Sequence, residues 1–316
     1  MENLNWFTFI PSWVIQDLLV LFAGLLWLFF VLKNEKNPKS IILECVCFIF
    51  CYAAIYENLA GVMGWYGFGR SIVMIFNVPI TVPLVEYLVV YTSIRLIQHT
   101  RTPLWAIPFF VGFMGMLFDF TLDPLAVRQV HETAECATGI GRWSWFFDPS
   151  HANILNVTVY NFPGWVLLCG YSSACILLGR KWFEKAKNKT LIGYLYPPVC
   201  LLSALLVMVS PLSAFLLWLG PMFDKGGVTE WIMLAVWFII PLVLLFIFGR
   251  KYTKPLDAKT DYLIFVMLIG FHVVNIFFTL IGQYWEILPL QIGITLLQTA
   301  IVLFIYYGSH KARYEH

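Results

Sequence analysis

The stretch FDFTLDPLAVRQVHETAECATGIGRWSWFFDPSHANILNVTVYNFPGW, residues Phe118 to Trp165, leaves one apolar run and enters another. It leaves past Asp119 and Asp123 and crosses a polar loop containing Trp143 and Trp145. It re-enters through Tyr160, Asn161, Phe162, Pro163, Gly164 and Trp165. A helix needs about 20 apolar residues to cross a hydrocarbon core, and the runs at 104–125 and 159–178 both meet that length. Read outward by the same measure, further spans fall near 12–32, 41–63, 79–97, 192–218, 231–248, 262–281 and 288–307, about nine in all.

These runs are continuous rather than alternating, and in lipid every backbone polar group must be paired within its own segment or in a closed barrel. The predicted fold is therefore all-α, a polytopic transmembrane helical bundle. The run at 192–218 is long enough to tilt, or to kink at Pro197, Pro198 or Pro211. We read 1–316 as a single membrane domain, with a motif-bearing core at 41–180 and additional transmembrane helices at 191–307.

Composition agrees with that reading. The chain is 60% hydrophobic and 12% charged, where a soluble domain carries about a quarter charged residues. Of its 20 lysines and arginines, 16 fall in alternate loops between Lys33 and Arg313, and only Arg70, Arg128, Arg142 and Lys225 fall on the other side. The positive-inside rule then predicts an N-terminus outside and a C-terminus in the cytoplasm, as in a multi-pass cell-membrane protein. Residues 1–12 carry Glu2 and no positive charge, so no cleavable signal peptide is expected. Six of the seven cysteines lie in spans and only Cys136 lies in an outer loop, which argues against a disulfide framework. No phosphate-binding loop, dinucleotide fingerprint or Ser-His-Asp arrangement occurs, and nothing supports nucleic-acid binding.

The acids carry the chemistry. Converting sequence to depth puts Asp17, Glu57, Glu86, Asp119 and Asp123 in the outer half of the membrane, together with Asn161, Asn275 and Gln291. Glu44 alone lies at the opposite edge. A carboxylate at mid-membrane costs about 2.5–3.5 kcal/mol on insertion scales, and no basic residue is expected in the same layer. Acids sharing such a layer without counter-charges cannot all ionise. Asp119 and Asp123, four residues apart, share one helix face.

Glu57, Glu86, Asp119 and Asp123 are thus candidates for proton donation and for stabilising a developing cation. Each also has a plainer reading as an acid touching water at a span end, and Asp123-Pro124 as a helix stop. Trp143 and Trp145 border this layer, where an aromatic face stabilises a cation by several tenths to about 2 kcal/mol. Their plainer reading is an interfacial belt. His272 and Asn275, at i and i+3, read as a proton relay, a pocket wall or an inter-helix hydrogen bond. His131, Glu132, Glu135 and Cys136 match no zinc spacing and read as a solvated loop. No metal or cofactor is expected.

In this order, Asp119-x-x-x-Asp123-Pro124-x-Ala126, Trp143-x-Trp145 and Asn161-Phe162-x-Gly164-Trp165 resemble the integral-membrane carotenoid biosynthesis proteins. These are the bacterial and archaeal carotenoid C-1′ hydratases, such as bisanhydrobacterioruberin hydratase. Glu57 with its Gly-rich aromatic sequel, and Pro83-x-x-Glu86, are similar too. The resemblance covers about 41–180. The loop segment HETAECATGIG and the spans beyond 190 depart from the pattern.

The resemblance implies a cofactor-independent hydro-lyase that hydrates the terminal double bond of an acyclic carotenoid end group to a tertiary alcohol. Its catalytic acids would be Asp119 or Glu86 as proton donor and Asp123 or Glu57 as water-orienting base or cation stabiliser. Trp143, Trp145, Asn161, Trp165, His272 and Asn275 would line the substrate. The implied partners are a lipophilic carotenoid, membrane lipids and other enzymes of the pathway. Two alternatives stand beside it: a carotenoid cyclase using the same protonation, and a proton-coupled membrane transporter.

Overall fold

A computed structural model describes residues 12–69, 71–129, 142–146 and 148–314. His131, Glu132, Glu135 and Cys136 lie outside the described residues. The helices in chain order are α1 (Ser12–Asn34), α2 (Pro38–Cys47), α3 (Ala54–Val62), α4 (Thr81–Ile97), α5 (Ile107–Ala126), α6 (Asn161–Lys185) and α7 (Lys189–Met208). They continue with α8 (Pro211–Phe223), α9 (Val228–Phe248), α10 (Tyr262–Phe265), α11 (Phe271–Ile281) and α12 (Leu288–Tyr314). A π-helical turn at Phe48–Ala53 joins α2 to α3, and another at Val266–Gly270 joins α10 to α11. Among the described residues eight helical segments are long and apolar enough to cross a membrane. The chain is an all-α polytopic bundle.

α4 is shorter, at 17 residues, yet almost all of it is buried among the other helices. The long run in the second half of the chain is not one straight helix. It stops at Met208 and restarts at Pro211, with Ser210 in an extended conformation. A residue before proline is pushed out of the α region, so the break falls at the third of the three prolines expected to make it. Pro197 and Pro198 remain inside α7.

The chain's ends of helix fall into two sets. One end of the bundle carries most of the basic residues. There Glu44 accepts from Arg180 Nε (3.0 Å) and Nη2 (2.6 Å) and from the hydroxyls of Tyr87 and Tyr196, each at 3.1 Å, tying α2 to α4, α6 and α7. Beside it Arg95 bridges Glu35 (2.7 Å) and Asp261 (2.8 Å). Desolvation holds the nearby His99 imidazole below its ordinary pKa, only partly opposed by the Asp261 carboxylate.

The opposite end carries short strands instead: β1 (Tyr66–Phe68), β2 (Met74–Ile75), β3 (Val78–Pro79), β4 (Trp143–Trp145), β5 (Asn153–Ile154) and β6 (Val157–Thr158). β2–β3 and β5–β6 are local hairpins, whereas β1 pairs antiparallel with β4 and so joins two distant loops. We call this the sheet end.

Tight helix contact at the centre depends on missing side chains. A Cβ on Gly112 would meet the carbonyl oxygen of Val166, and one on Gly115 would stand 2.6 Å from Cys169 Sγ. Small residues let backbones approach where lipid gives no hydrophobic drive to pack, and α5 packs more extensively on α6 than on any other element. Outward, α8 and α9 turn Phe215, Ile232 and Phe246 to the surroundings, as lipid-facing helices should. Gly112→Ala is expected to lose about 1–3 kcal/mol by overpacking. Gly293→Ala, where a Cβ meets nothing within 4 Å, should melt no earlier than the parent. Thermal unfolding in detergent measures both, and equal melting would refute this account of the α5–α6 contact.

Candidate functional site

Three helices deliver acids to one place at the sheet end. Glu57 comes from the first turn of α3, Glu86 from the second turn of α4, and Asp123 from near the end of α5. All three line a cavity of about 1150 Å³, counting its open mouth. Tyr56, Phe118 and Trp165 supply apolar wall between them. α6 begins at Asn161, two residues before Pro163, and Gly164 also lines the cavity.

Glu57, Asp119 and Asp123 accept from neutral donors rather than from lysine or arginine. Tyr66 Oη donates to Glu57 Oε2 at 2.6 Å, and Trp143 Nε1 donates to Asp123 Oδ1 at 3.0 Å. Asn161 Nδ2 donates to Asp119 Oδ2 (2.6 Å) and to Asp123 Oδ2 (2.7 Å). Glu86 Oε2 and Asp119 Oδ1 are buried with no partner in the protein.

The β1–β4 ribbon covers the cavity. Its register sets Tyr66 opposite Trp145 and Phe68 opposite Trp143, with ring centroids 4.7 and 5.7 Å apart. All four rings face the cavity. The ribbon is fastened to the bundle by an ion pair that sequence reasoning missed. Arg142, the residue before β4, donates to Gln16 and to Asp17 on α1, while Thr81 (2.8 Å) and Ser71 also donate to Asp17. The expectation of no basic residue among these acids is therefore corrected: a loop arginine folds back into the bundle. A signal existed. Asp17 lies inside a span and needs a partner, and four basic residues are available on that side. Arg128 and Lys225 pair instead with Glu286 and Asp148. The Lys225 ammonium, together with Ser150, holds the Asp148 carboxyl well below the usual carboxylate range.

The other expected site residues divide. Trp143, Trp145, Asn161, Trp165 and Asn275 line the cavity. Asp119 does not. It is completely buried behind the wall and touches the cavity residues Asp123 and Asn161. His272 also lies off the wall, buried on α11 with Nδ1 3.0 Å from Thr121 Oγ1, which corrects its assignment to the substrate surface. The reason is angular. Thr121 stands two residues from both aspartates, and at about 100° per residue it points to the far side of α5.

One further acid is buried beside the cavity wall. Glu230 is fully buried at the start of α9 and accepts from His151 Nδ1 (2.8 Å) and the backbone N–H groups of Ala152 (2.8 Å) and Gly226 (3.0 Å). His151 packs against Tyr160 and Trp218, both on the cavity wall. Among the described residues no group of three or more His, Cys, Asp or Glu side chains is arranged to hold a metal ion.

Breaking the buried pair should be costly. Arg142→Gln leaves Asp17 buried and uncompensated and is expected to cost about 3–5 kcal/mol, with much of that recovered in the Asp17→Asn/Arg142→Gln double variant. The exposed pair Lys225–Asp148 serves as comparison. If Arg142→Gln melts no earlier than Lys225→Gln in detergent, the ribbon is not held as described. No protein-family model, curated protein or solved structure matches this chain.

Proposed function

We propose that this protein is an integral-membrane enzyme that adds water to the terminal carbon–carbon double bond of an acyclic carotenoid end group, forming a tertiary alcohol. The observation that carries the reading is the cavity itself: three carboxyl groups and several tryptophans on a largely apolar wall that also carries Arg142, Asn161 and Asn275, inside a bundle of membrane-length helices. We further propose nine crossings, with α4 as the short one, the sheet end outside and the basic end in the cytoplasm.

The chemistry needs an acid, a shield for a cation and a placed water. Glu86, with one oxygen unpartnered, gives its proton to the less substituted alkene carbon. The π electrons form that C–H bond and leave positive charge on the tertiary carbon. The faces of Trp143, Trp145 and Trp165 stabilise it, together with the carboxylate formed at Glu86. A water oxygen then bonds to the cation while Asp123 takes the water's proton. Glu57, in reach of Glu86 and within electrostatic range of Asp123, offers the return path for that proton. The net change is one water added, with no electron gained or lost. Asp119 acts through Asp123 and Asn161 as a positioning residue.

The two alternatives make different products. A cyclase would let an internal alkene capture the same cation, giving an isomer of unchanged mass. A transporter would string acids across the whole membrane thickness, whereas Glu44, at the far end, is fully engaged by Arg180 and two tyrosines.

Expression in a host that makes acyclic carotenoids tests all three by pigment mass. A gain of one water is expected. An isomer would favour cyclisation, and an unchanged pigment pool would sink both. Glu86→Gln and Asp123→Asn should each lower hydrated product by about 10²–10⁴-fold, the usual worth of a positioned acid or base. Asp119→Asn should do less.

A further inference from the structure

A second polar feature lies behind the cavity. On α11, His272, Asn275 and Thr279 recur at i, i+3 and i+7 and so share one face. On α12, Gln291 and Gln298 are likewise two turns apart on one face. α5, α11 and α12 pack against one another, and Thr121 of α5 joins the group. All six side chains are buried. They form a polar seam among three apolar helices.

The seam is under-satisfied in a patterned way. His272 Nε2, Thr279 Oγ1, Gln291 Oε1 and Gln298 Oε1 are buried without a protein partner. Thr121 Oγ1 donates to the Phe118 carbonyl at 2.9 Å, accepts from Asn275 Nδ2 at 3.1 Å and lies 3.0 Å from His272 Nδ1, a contact whose direction follows the imidazole tautomer. Gln298, which neighbours this ring, donates through its amide at 2.7 Å to Leu268 O, within the π-helical turn, leaving its oxygen as an acceptor. Gln291 repeats the arrangement, donating to Thr121 O at 2.9 Å with its own oxygen left over.

Buried polar atoms without partners are destabilising. Water, which both donates and accepts, is the group that satisfies them, and buried waters typically make about three bonds to groups of this kind.

Among the described residues the seam meets the cavity wall at Asn275, which belongs to both. Toward the sheet end, Leu125, Phe278 and Ile287 pack together with Tyr284 and close it with apolar surface.

We propose that the α5/α11/α12 seam is a water-binding site, holding internal water that reaches the cavity past Asn275 and supplies the molecule consumed there. The supply role rests on the hydration reading; the presence of water does not. The seam enters from α11, away from the α3 and α4 wall that carries Glu57 and Glu86. Water therefore arrives on a side from which Glu86 need not be hydrated.

Radiolytic hydroxyl-radical labelling of the full chain in membranes tests occupancy, because radicals form from water already in place. Normalised for intrinsic reactivity, His272 should label at least about fivefold faster than Met114, which is equally buried but in apolar surroundings. Labelling should fall several-fold in Gln298→Met. Equal labelling of His272 and Met114 would overturn the proposal and leave the hydration reading standing.

Supply is tested in D2O with the acyclic carotenoid. When water is scarce the cation returns to alkene by losing a proton, so Thr279→Val and Gln298→Met should raise deuterium in recovered substrate relative to alcohol formed by about threefold or more. Either variant that folds suffices. An unchanged ratio with a labelled seam would make the water structural and end the supply role. Failure to form any alcohol in the parent protein would instead strike the hydration reading, with the labelling result still deciding occupancy.

Discussion

A carboxylate removed from water must find a cation, several strong donors, or a proton. The buried acids of this bundle are sorted by that demand. Asp17 has Arg142, Glu44 has Arg180 and two tyrosines, and Glu230 has His151 and two backbone N–H groups. Each of these fastens loops or helices that are far apart in the chain, and each is spent on doing so. Glu57, Glu86, Asp119 and Asp123 have no basic partner among the described contacts. They have one another, a tyrosine, a tryptophan and an asparagine. On the proposed mechanism these are the acids that exchange protons.

The same sorting explains the architecture around them. Bringing α3, α4 and α5 carboxyls together requires close central packing, which the Gly112 and Gly115 contacts with α6 allow. Keeping water from them requires a cover, which neither flanking loop can form alone. β1 and β4 form it jointly, each too short to stand as a hairpin, and the Arg142–Asp17 pair anchors the joint ribbon to α1. The aromatic faces of the ribbon then do two things at once: they exclude water and present electron-rich surface to the cavity.

Much of this was legible in the residues. Nine apolar runs, the break near Pro211 and the clustering of acids toward one end follow from length, proline geometry and desolvation, all of which are local or one-dimensional. The gathering of Glu57, Glu86 and Asp123 with Trp143, Trp145, Asn161 and Trp165 could be anticipated from depth and from the motif order. What could not be read was rotation and return. Asp119 and Asp123 share a face of α5, yet one lines the cavity and the other sits behind it, because the neighbouring helix decides which turn of that face is open. His272 belongs to a face of α11 aimed at Thr121, and no periodicity within α11 says which neighbour that face meets. Arg142 escaped because it was counted as a loop residue, and a side chain that folds back into the bundle has no signature in a hydropathy profile.

The pairing of Asp17 also bears on the proposed chemistry. Had Arg142 reached Asp123 instead, that carboxyl would be held as a fixed anion and would be a poor acceptor for a proton from water. By taking Arg142 for itself, together with Thr81 and Ser71, Asp17 keeps the one cation on the cavity wall occupied. Gln16 occupies its other arm. The guanidinium also lies over Trp143. The buried ion pair holds the ribbon shut and, on the proposed mechanism, leaves the cavity carboxyls without a permanent cationic partner.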